Sequence, residues 1–370
     1  MTSRTEGDVQ AGPPRRASVI GTGLIGASIG IALRSRGWHV TGRDLDPLRQ
    51  RQALDLGALD SVGEDPDAEV LFIATPASSV AVEACKALDG SDRRSDLIVT
   101  DVAGVKTSVV AQVNRPAFVG GHPMAGSEQI GLQGVDPDLF VGATWVLTPT
   151  ESTDPEMYAR LRDIVSSLGA DAVALSPEQH DSLVAVVSHV PHLAAATLMN
   201  LADSLATEHA ALLRLAAGGF RDMTRVAAGD PAIWPDICID NSEAIVHTLD
   251  LLLANLKSMR DKIASANRSA LLDELGNAAA ARRSLPSGTV QPEFLAEIRV
   301  PVPDRPGVLS EITTLAGDMG VNILDLEIAH SAEGDRGVLV LVVDRSSSEI
   351  LHGALTERSY RSTVRHLGQP

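Results

Sequence analysis

Apolar residues fall along this chain in three successive rhythms. From residue 17 to about 150, short apolar runs alternate with helix-length stretches. Ala17–Ile20, Trp38–Thr41, Val70–Ala74, Leu97–Thr100 and Phe118–Gly120 read as buried strands, and Gly142–Leu147 as a further one. Runs without an in/out alternation are what a sheet covered on both faces requires, and intervening helices make that sheet mostly parallel. From residue 176 to about 280 the strand signals stop. Ser176-Pro177-Glu178-Gln179 reads as a capped helix start with a capping box, and Asp230-Pro231 as a second start. Several helices here carry apolar residues on more than one face, as expected for packing inside a dimer.

A Pro/Gly/Ser-containing linker over 281–293 precedes the third rhythm, residues 294–370. Leu295–Val302 alternates like a strand. Val308, Leu309, Ile312, Leu315, Ala316 and Met319 share one helical face that Gly320 ends. Val321–Ala329 and Gly337–Val343 read as strands around a turn at Glu333-Gly334-Asp335. A helix near Ser347–Glu357 and a strand near Ser362–His366 complete β-α-β-β-α-β, the ferredoxin-like order. The expected architecture is an α/β Rossmann domain over 17–175, an all-α domain over 176–280 for substrate and dimerisation, and a C-terminal ferredoxin-like domain. Residues 1–16 are polar and read as a disordered leader, not a signal peptide.

Composition narrows the partners. Hydrophobic residues make up 44% of the 370 positions and aromatics 3%, so the cores must be aliphatic. The net charge of −17 disfavours nucleic acid and anionic membranes, and any anion site must be locally basic. No uninterrupted apolar run reaches membrane-spanning length. Cys85 and Cys238 read as buried small hydrophobes in a reducing cytoplasm.

Gly21-Thr22-Gly23-Leu24-Ile25-Gly26 supplies the first chemistry. It follows a strand and opens a helix, the context that turns G-x-G-x-x-G into a dinucleotide cradle. Asp44 lies 18 residues after Gly26, at the end of the second strand. A carboxylate there binds ribose hydroxyls and repels a 2′-phosphate, which favours NAD over NADP; Arg43 pulls the other way. Thr75-Pro76, Asp101–Lys106 and His122–Glu128 end later strands and should converge near the nicotinamide.

His122 follows Gly120-Gly121 and precedes Pro123, which suggests a compact turn. Its position leaves two roles equally open, a general base titrating near neutral pH and a structural histidine bonded to backbone. His189 and His192 flank Val190-Pro191, with His180-Asp181 earlier. H-x-x-H lacks the spacing and glutamate of a metalloprotease helix, so no metal is expected. Arg221, Asp222 and Arg225 fall on one helical face, and an arginine there can hold a carboxylate.

Taken together, GTGLIGAS, GGHPMAGSE, SPEQHD, SHVPH and GGFRDMTRVAAGDPAIW resemble the prephenate/arogenate dehydrogenase family of tyrosine biosynthesis over about residues 17–260. The resemblance implies an NAD-dependent oxidative decarboxylation of prephenate to 4-hydroxyphenylpyruvate by a cytoplasmic homodimer. It makes His122 the residue that takes the ring hydroxyl proton. It places His192 and Arg225 on substrate carboxylates, with His189 beside them, Glu128 controlling access and Asp222 as partner of the arginine segment. Gly21, Gly23, Leu24, Ile25, Gly26, Asp44 and Thr75 fall to the cofactor. One departure stands out: the family often has Gly-Ser-Val-Lys, its serine orienting the histidine, where this chain has Ala103-Gly104-Val105-Lys106. Water, Thr107, Ser108 or nothing replaces that contact.

Asp304-Arg305-Pro306-Gly307 and Gly320-Val321-Asn322-Ile323 resemble an ACT domain. That implies an amino-acid effector, L-tyrosine as the pathway's end product, held where Pro306, Gly307 and Asn322 meet, usually at an interface between paired ACT domains. Two rival readings remain at this level: an arogenate dehydrogenase that forms tyrosine directly, and a non-catalytic amino-acid sensor on the same scaffold.

Overall fold

Near-continuous burial marks the strands of the first sheet. In the computed structural model, β1 (Arg16–Ile20), β4 (Val70–Ile73) and β5 (Ile98–Asp101) are covered on both faces. The structure describes residues 14–91, 93–126, 131–206, 212–285, 294–303, 305–330 and 336–367. β1 starts one residue inside the expected leader, because the Arg16 backbone pairs with His39 while its guanidinium reaches Asp65 at 2.6 Å.

With β2 (His39–Arg43), β3 (Ser61–Val62), β6 (Phe118–Pro123), β7 (Thr144–Thr148) and β8 (Asp171–Ala174), these strands form an eight-stranded sheet in the order β3-β2-β1-β4-β5-β6-β7-β8. All pairs are parallel except β6 with β7. β3 and β8 have no counterpart among the expected strands; β3 has two exposed residues and β8 none that is buried, so neither leaves an apolar run.

Helices cover both faces. α1 (Leu24–Arg34), α2 (Pro47–Asp55) and α5 (Pro155–Ser167) pack into one core with Trp145 and Phe140. α3 (Ala77–Asp89) and α4 (Thr107–Val113) pack into another with Leu71, Ile73 and Val99. The order reverses at β1, which has β2 on one side and β4 on the other. Such a switch point opens a ligand crevice at the carboxyl ends of the strands.

α6 (Pro177–Val184) begins at the expected capping box: Ser176 accepts from the Gln179 N–H, and the Gln179 side chain accepts from Ser176. A π-turn, Ala185–His189, joins it to α7 (Val190–Ala206). The wide turn ends just before Pro191, which has no N–H to continue an ordinary ladder. Together they make one helix of 30 residues whose most apolar 18-residue window has a mean hydropathy of 1.5, long and apolar enough to cross a membrane by length and composition. The apolar runs themselves stay short, since isolated polar residues interrupt them without lowering the average far. Only 28% of that window is buried; His180 and Asp181, nearer the start of the helix, are buried as well.

α8 (Gly218–Thr224), α9 (Trp234–Asp240), α10 (Ser242–Ala264) and α11 (Arg268–Arg283) follow. α8 ends at Thr224 and Arg225 begins a 3₁₀ turn, Arg225–Ala228. The helical face expected to join Arg221, Asp222 and Arg225 is therefore broken. Both cysteines are free and half-buried rather than fully buried.

The chain divides into two compact units, Met1–Leu213 with Met223–Lys257 and Arg214–Asp222 with Ser258–Pro370. In the second, β9 (Leu295–Pro303), α12 (Val308–Asp318), β10 (Ile323–His330), β11 (Arg336–Asp344), α13 (Arg345–Glu357) and β12 (Thr363–His366) realise the ferredoxin-like order. Its antiparallel sheet runs β10-β11-β9-β12 over a core that includes Ile298, Val300, Ile312, Leu339 and Leu355. Pro306-Gly307 sits at the start of α12 and Asn322 beyond its end. An 11-residue helix is about 16 Å long, so these residues do not meet within one chain. The expected turn at 333–335, the 286–293 part of the linker, Asp304 and Glu128 lie outside the described residues.

Candidate active site

The glycine turn is shaped by close approach. Gly21 has φ +88°, and a Cβ there would lie 2.4 Å from the Ala74 carbonyl oxygen. A Cβ on Gly26 would lie 1.9 Å from the Gly21 oxygen, so helix and turn touch backbone to backbone. At Gly23 a Cβ would meet nothing within 4 Å, leaving open space at the N-terminus of α1. No side chain caps that helix, and its first turn, with Leu24 and Ile25, contains no acid. Its free N–H groups suit a pyrophosphate.

Asp44 Oδ2 accepts the Thr22 N–H at 2.7 Å and Oδ1 accepts the Asp46 N–H at 2.9 Å. The carboxylate is thus fixed beside the turn with lone pairs to spare for ribose hydroxyls. The Thr75 hydroxyl oxygen is buried with no hydrogen-bond partner among the described residues. An open cradle, an uncapped helix, a fixed acid and an orphaned hydroxyl fit NAD.

His122 lies within β6, not on a turn: it pairs with Val146 across the antiparallel β6–β7 ladder. Gly120-Gly121 serves close packing instead. A Cβ on Gly121 would lie 2.7 Å from the Asp101 carbonyl oxygen and 2.9 Å from Thr100 Oγ1. From the strand, His122 Nδ1 meets His180 Nε2 at 2.8 Å, and His180 Nδ1 meets Asp181 Oδ1 at 2.8 Å.

Asp181 is the fixed end of this relay. Burial would raise its pKa, but hydrogen bonds from His180, Thr107 and the Lys106 backbone hold it below the usual carboxylate range. The Lys106 N–H donates to Oδ1 at 2.8 Å and the Thr107 N–H to Oδ2 at 2.9 Å. An ionised Asp181 accepts a hydrogen bond from His180 Nδ1–H, which leaves His180 Nε2 as an acceptor. His122 Nδ1–H then donates to it, and the lone pair of His122 falls on Nε2.

That Nε2 faces the missing serine. A Cβ on Gly104 would lie 3.8 Å from both Nε2 and Cε1 of His122. The ring is therefore oriented through its other nitrogen, by His180, and Thr107 is committed to Asp181. Loss of hydration, with His180, Lys106 and His189 nearby, pushes the His122 pKa well below the ordinary imidazole range. The shift favours the neutral ring, the form that can accept a proton. Behind it, Lys106 and Asp101 form an ion pair with neither side chain exposed. Asp101 also accepts the Ala103 and Gly121 N–H groups.

The other histidines have different surroundings. His189 is 2% exposed; Asn241 Nδ2–H donates to its Nδ1 at 3.2 Å and to the Asp181 carbonyl at 2.9 Å. Burial, with His180, lowers its pKa to about 4 against the pull of Asp181. His192 stacks on Trp234 at 3.5 Å and 13°, and burial lowers its pKa too. The turn bearing Arg225 packs beside α7, which carries His192, and Arg225 is exposed there. Asp222 is exposed in the second unit.

His180, Asp181, Trp234 and Asn241 carry no role in what the sequence predicts, and Asp101 and Lys106 only that of bounding a loop near the nicotinamide. SPEQHD and the tryptophan of GDPAIW were visible as motif, but not what they touch. Among the described residues, no three His, Cys, Asp or Glu side chains gather as metal ligands.

A dinucleotide cradle and a histidine oriented by His180 and Asp181, at the strand ends of one sheet, suit a pyridine-nucleotide-dependent dehydrogenase. Comparisons with known proteins give the family. Residues 29–174 match the prephenate dehydrogenase nucleotide-binding domain, 176–277 the prephenate dehydrogenase dimerization domain and 296–357 the ACT domain. Prephenate dehydrogenase of Bacillus subtilis is 33% identical over 86% of this chain and 89% of its own. The crystal structure of the Aquifex aeolicus prephenate dehydrogenase with hydroxyphenyl propionate and NAD+ has a TM-score of 0.69 at 27% identity, covering 75% of this chain and all of that one. Synechocystis arogenate dehydrogenase has a TM-score of 0.62 at 32% identity, covering 72% of this chain and 98% of its own. The chain belongs to the prephenate dehydrogenase family, NAD-dependent oxidoreductases.

Proposed function

We propose that this protein oxidatively decarboxylates prephenate to 4-hydroxyphenylpyruvate, with His122 Nε2 as the general base. The observation that carries the assignment is the Asp181–His180–His122 relay, which leaves an uncovered lone pair beside Gly104. NAD, held by Gly21, Gly23, Leu24, Ile25, Gly26, Asp44 and Thr75, supplies the hydride acceptor when bound. His122 takes the C4 hydroxyl proton as that carbon is oxidised. The ring carboxylate then leaves as CO2, and the electrons of its bond restore aromaticity. Asp181 and His180 hold the imidazole in its basic tautomer.

Arg225 supplies positive charge to a substrate carboxylate. His192, neutral and stacked on Trp234, adds an N–H hydrogen bond rather than a charge. His189 and Asn241 are positioning residues beneath them. Glu128 keeps the role in controlling access, and Asp222 that of partner within the arginine segment, which the family resemblance implies. The discriminating assay measures NADH production from prephenate and arogenate side by side. A larger kcat/KM for prephenate is expected. The reverse preference would make the protein an arogenate dehydrogenase, and silence with both would leave the sensor reading.

Arg225→Ala should raise KM for substrate with a smaller change in kcat. Loss of a charged hydrogen bond costs about 1.5–3 kcal/mol, roughly 10- to 150-fold in KM. A variant with normal KM and a lower unfolding midpoint would reduce Arg225 to a surface residue.

The protein is further read as a cytoplasmic homodimer, closed in part through the exposed Leu183, Val186 and Val187 of the dimerization region. L-tyrosine is the proposed effector of the ACT domain. Since Pro306-Gly307 and Asn322 lie at opposite ends of α12, a site using both takes them from two chains. Saturating tyrosine should change apparent substrate affinity by about 5- to 150-fold, the usual range of allosteric coupling. An active protein truncated near Ser287 that kept the full response would exclude the ACT domain as sensor.

A further inference from the structure

Beside the cofactor cradle lies a cluster of charges that the proposed reaction does not use. The Gly21 N–H donates to the Arg43 carbonyl at 2.8 Å, which ties Arg43 to the glycine turn, and Asp44 follows it directly. The Arg43 guanidinium is held at two points. Nε donates to Glu64 at 2.6 Å, and Nη2 donates to Glu83 on α3, the helix that follows Thr75-Pro76. Arg93 Nη2 bonds the other oxygen of Glu64. All four side chains are largely covered, with exposures of 13–27%.

Two guanidiniums and two carboxylates cancel, so Asp44 sets the local sign as negative. The cancellation is incomplete in geometry. Arg93 Nη1 is buried with no partner among the described residues, and burial and the neighbouring Arg43 lower the Arg93 pKa. These two arginines would welcome an anion if the glutamates were absent.

We infer that Glu64 and Glu83 are cofactor-selectivity residues, which occupy Arg43 and Arg93 and so deny both to the 2′-phosphate of NADP. Arginine forks bind carboxylate and phosphate with the same geometry. A 2′-phosphate must therefore displace a carboxylate already in place while also approaching Asp44. Arg43, read alone in the sequence, argues for NADP; with both of its bonded nitrogens committed, it does not. The inference rests on NAD binding at the glycine turn.

The test titrates NAD and NADP into the full-length protein by calorimetry, without substrate. In the Glu64→Gln/Glu83→Gln variant the arginines face neutral amide oxygens, which a phosphate displaces far more readily than carboxylates, and NADP should tighten by about 10-fold or more. NAD affinity should change less than about 3-fold, since its ribose carries no phosphate for the freed arginines. Adding Arg43→Ala should cancel the NADP gain. Each single glutamine variant should give a smaller gain in the same direction, so the inference stays testable if the double variant fails to fold. Normal NAD binding with no gain for NADP in any variant would overturn the clamp. So would a gain that survives Arg43→Ala, which would trace it to net charge alone. A wild-type protein that binds neither nucleotide would remove the cradle and the clamp together.

Discussion

His122→Asn should lower kcat by about 10²-fold or more, the usual scale for loss of a general base, while NAD affinity stays near normal. Asparagine keeps an N–H that can still donate to His180 Nε2. It has no basic nitrogen to present beside Gly104, so the substitution isolates the proton-accepting role from the structural one. Calorimetric titration with NAD should give a dissociation constant within about 3-fold of the parent, because the cradle is built from β1, α1 and Asp44, apart from the strand that carries His122. The unfolding midpoint in urea should move little. A variant with near-normal kcat would make His122 a structural residue and remove the mechanism. A variant with poor NAD binding or a collapsed midpoint would show that β6 itself had been disturbed.

The second large effect is on stability. Lys106→Met should destabilise the protein by about 3–5 kcal/mol, the cost of leaving one partner of a buried ion pair uncompensated. Lys106 and Asp101 are both 0% exposed, and burial already pulls the Lys106 pKa down against the pull of Asp101 and Asp181. Without the ammonium, Asp101 keeps two backbone donors, Ala103 and Gly121, but loses its counter-charge. The measurement is the urea unfolding midpoint followed by fluorescence. Lys106→Met/Asp101→Asn should recover a large part of the loss, because a neutral amide needs no counter-ion. A single variant less than about 1 kcal/mol below the parent would mean that the pair contributes no more than a surface contact.

What the sequence revealed was local. The glycine turn, the Ser176 capping box and the ferredoxin-like order depend on residues within a few positions of one another, and each is present in the structure. His122 was harder, because Gly120-Gly121 before it and Pro123 after it look like turn residues. Those glycines instead admit the Asp101 backbone and the Thr100 hydroxyl within a sheet, a requirement set by neighbouring strands. The relay to His180 spans 58 residues and two secondary-structure types. No periodicity reports such a contact. The π-turn before Pro191 was equally hidden: proline signals a missing donor, but not how the preceding backbone absorbs it. The Arg43–Glu64–Glu83 cluster shows the same limit for charge, since a formal sign says nothing about which partners have already claimed it.

The single carboxylate of Asp181 has a consequence for how the catalytic parts can be divided. It sits on α6, in the dimerization region, and receives the backbone N–H groups of Lys106 and Thr107 from the nucleotide-binding region while holding His180 against His122. One side chain thus acts as a rivet across a family domain boundary, and the tautomer of the proposed base, His122, is set by a residue from the far side of it. A nucleotide-binding region cut off before Ser176 would keep its cradle and its histidine. It would have nothing to decide which nitrogen of that histidine is bare. If His122 is the base, chemical competence belongs to the seam rather than to either piece.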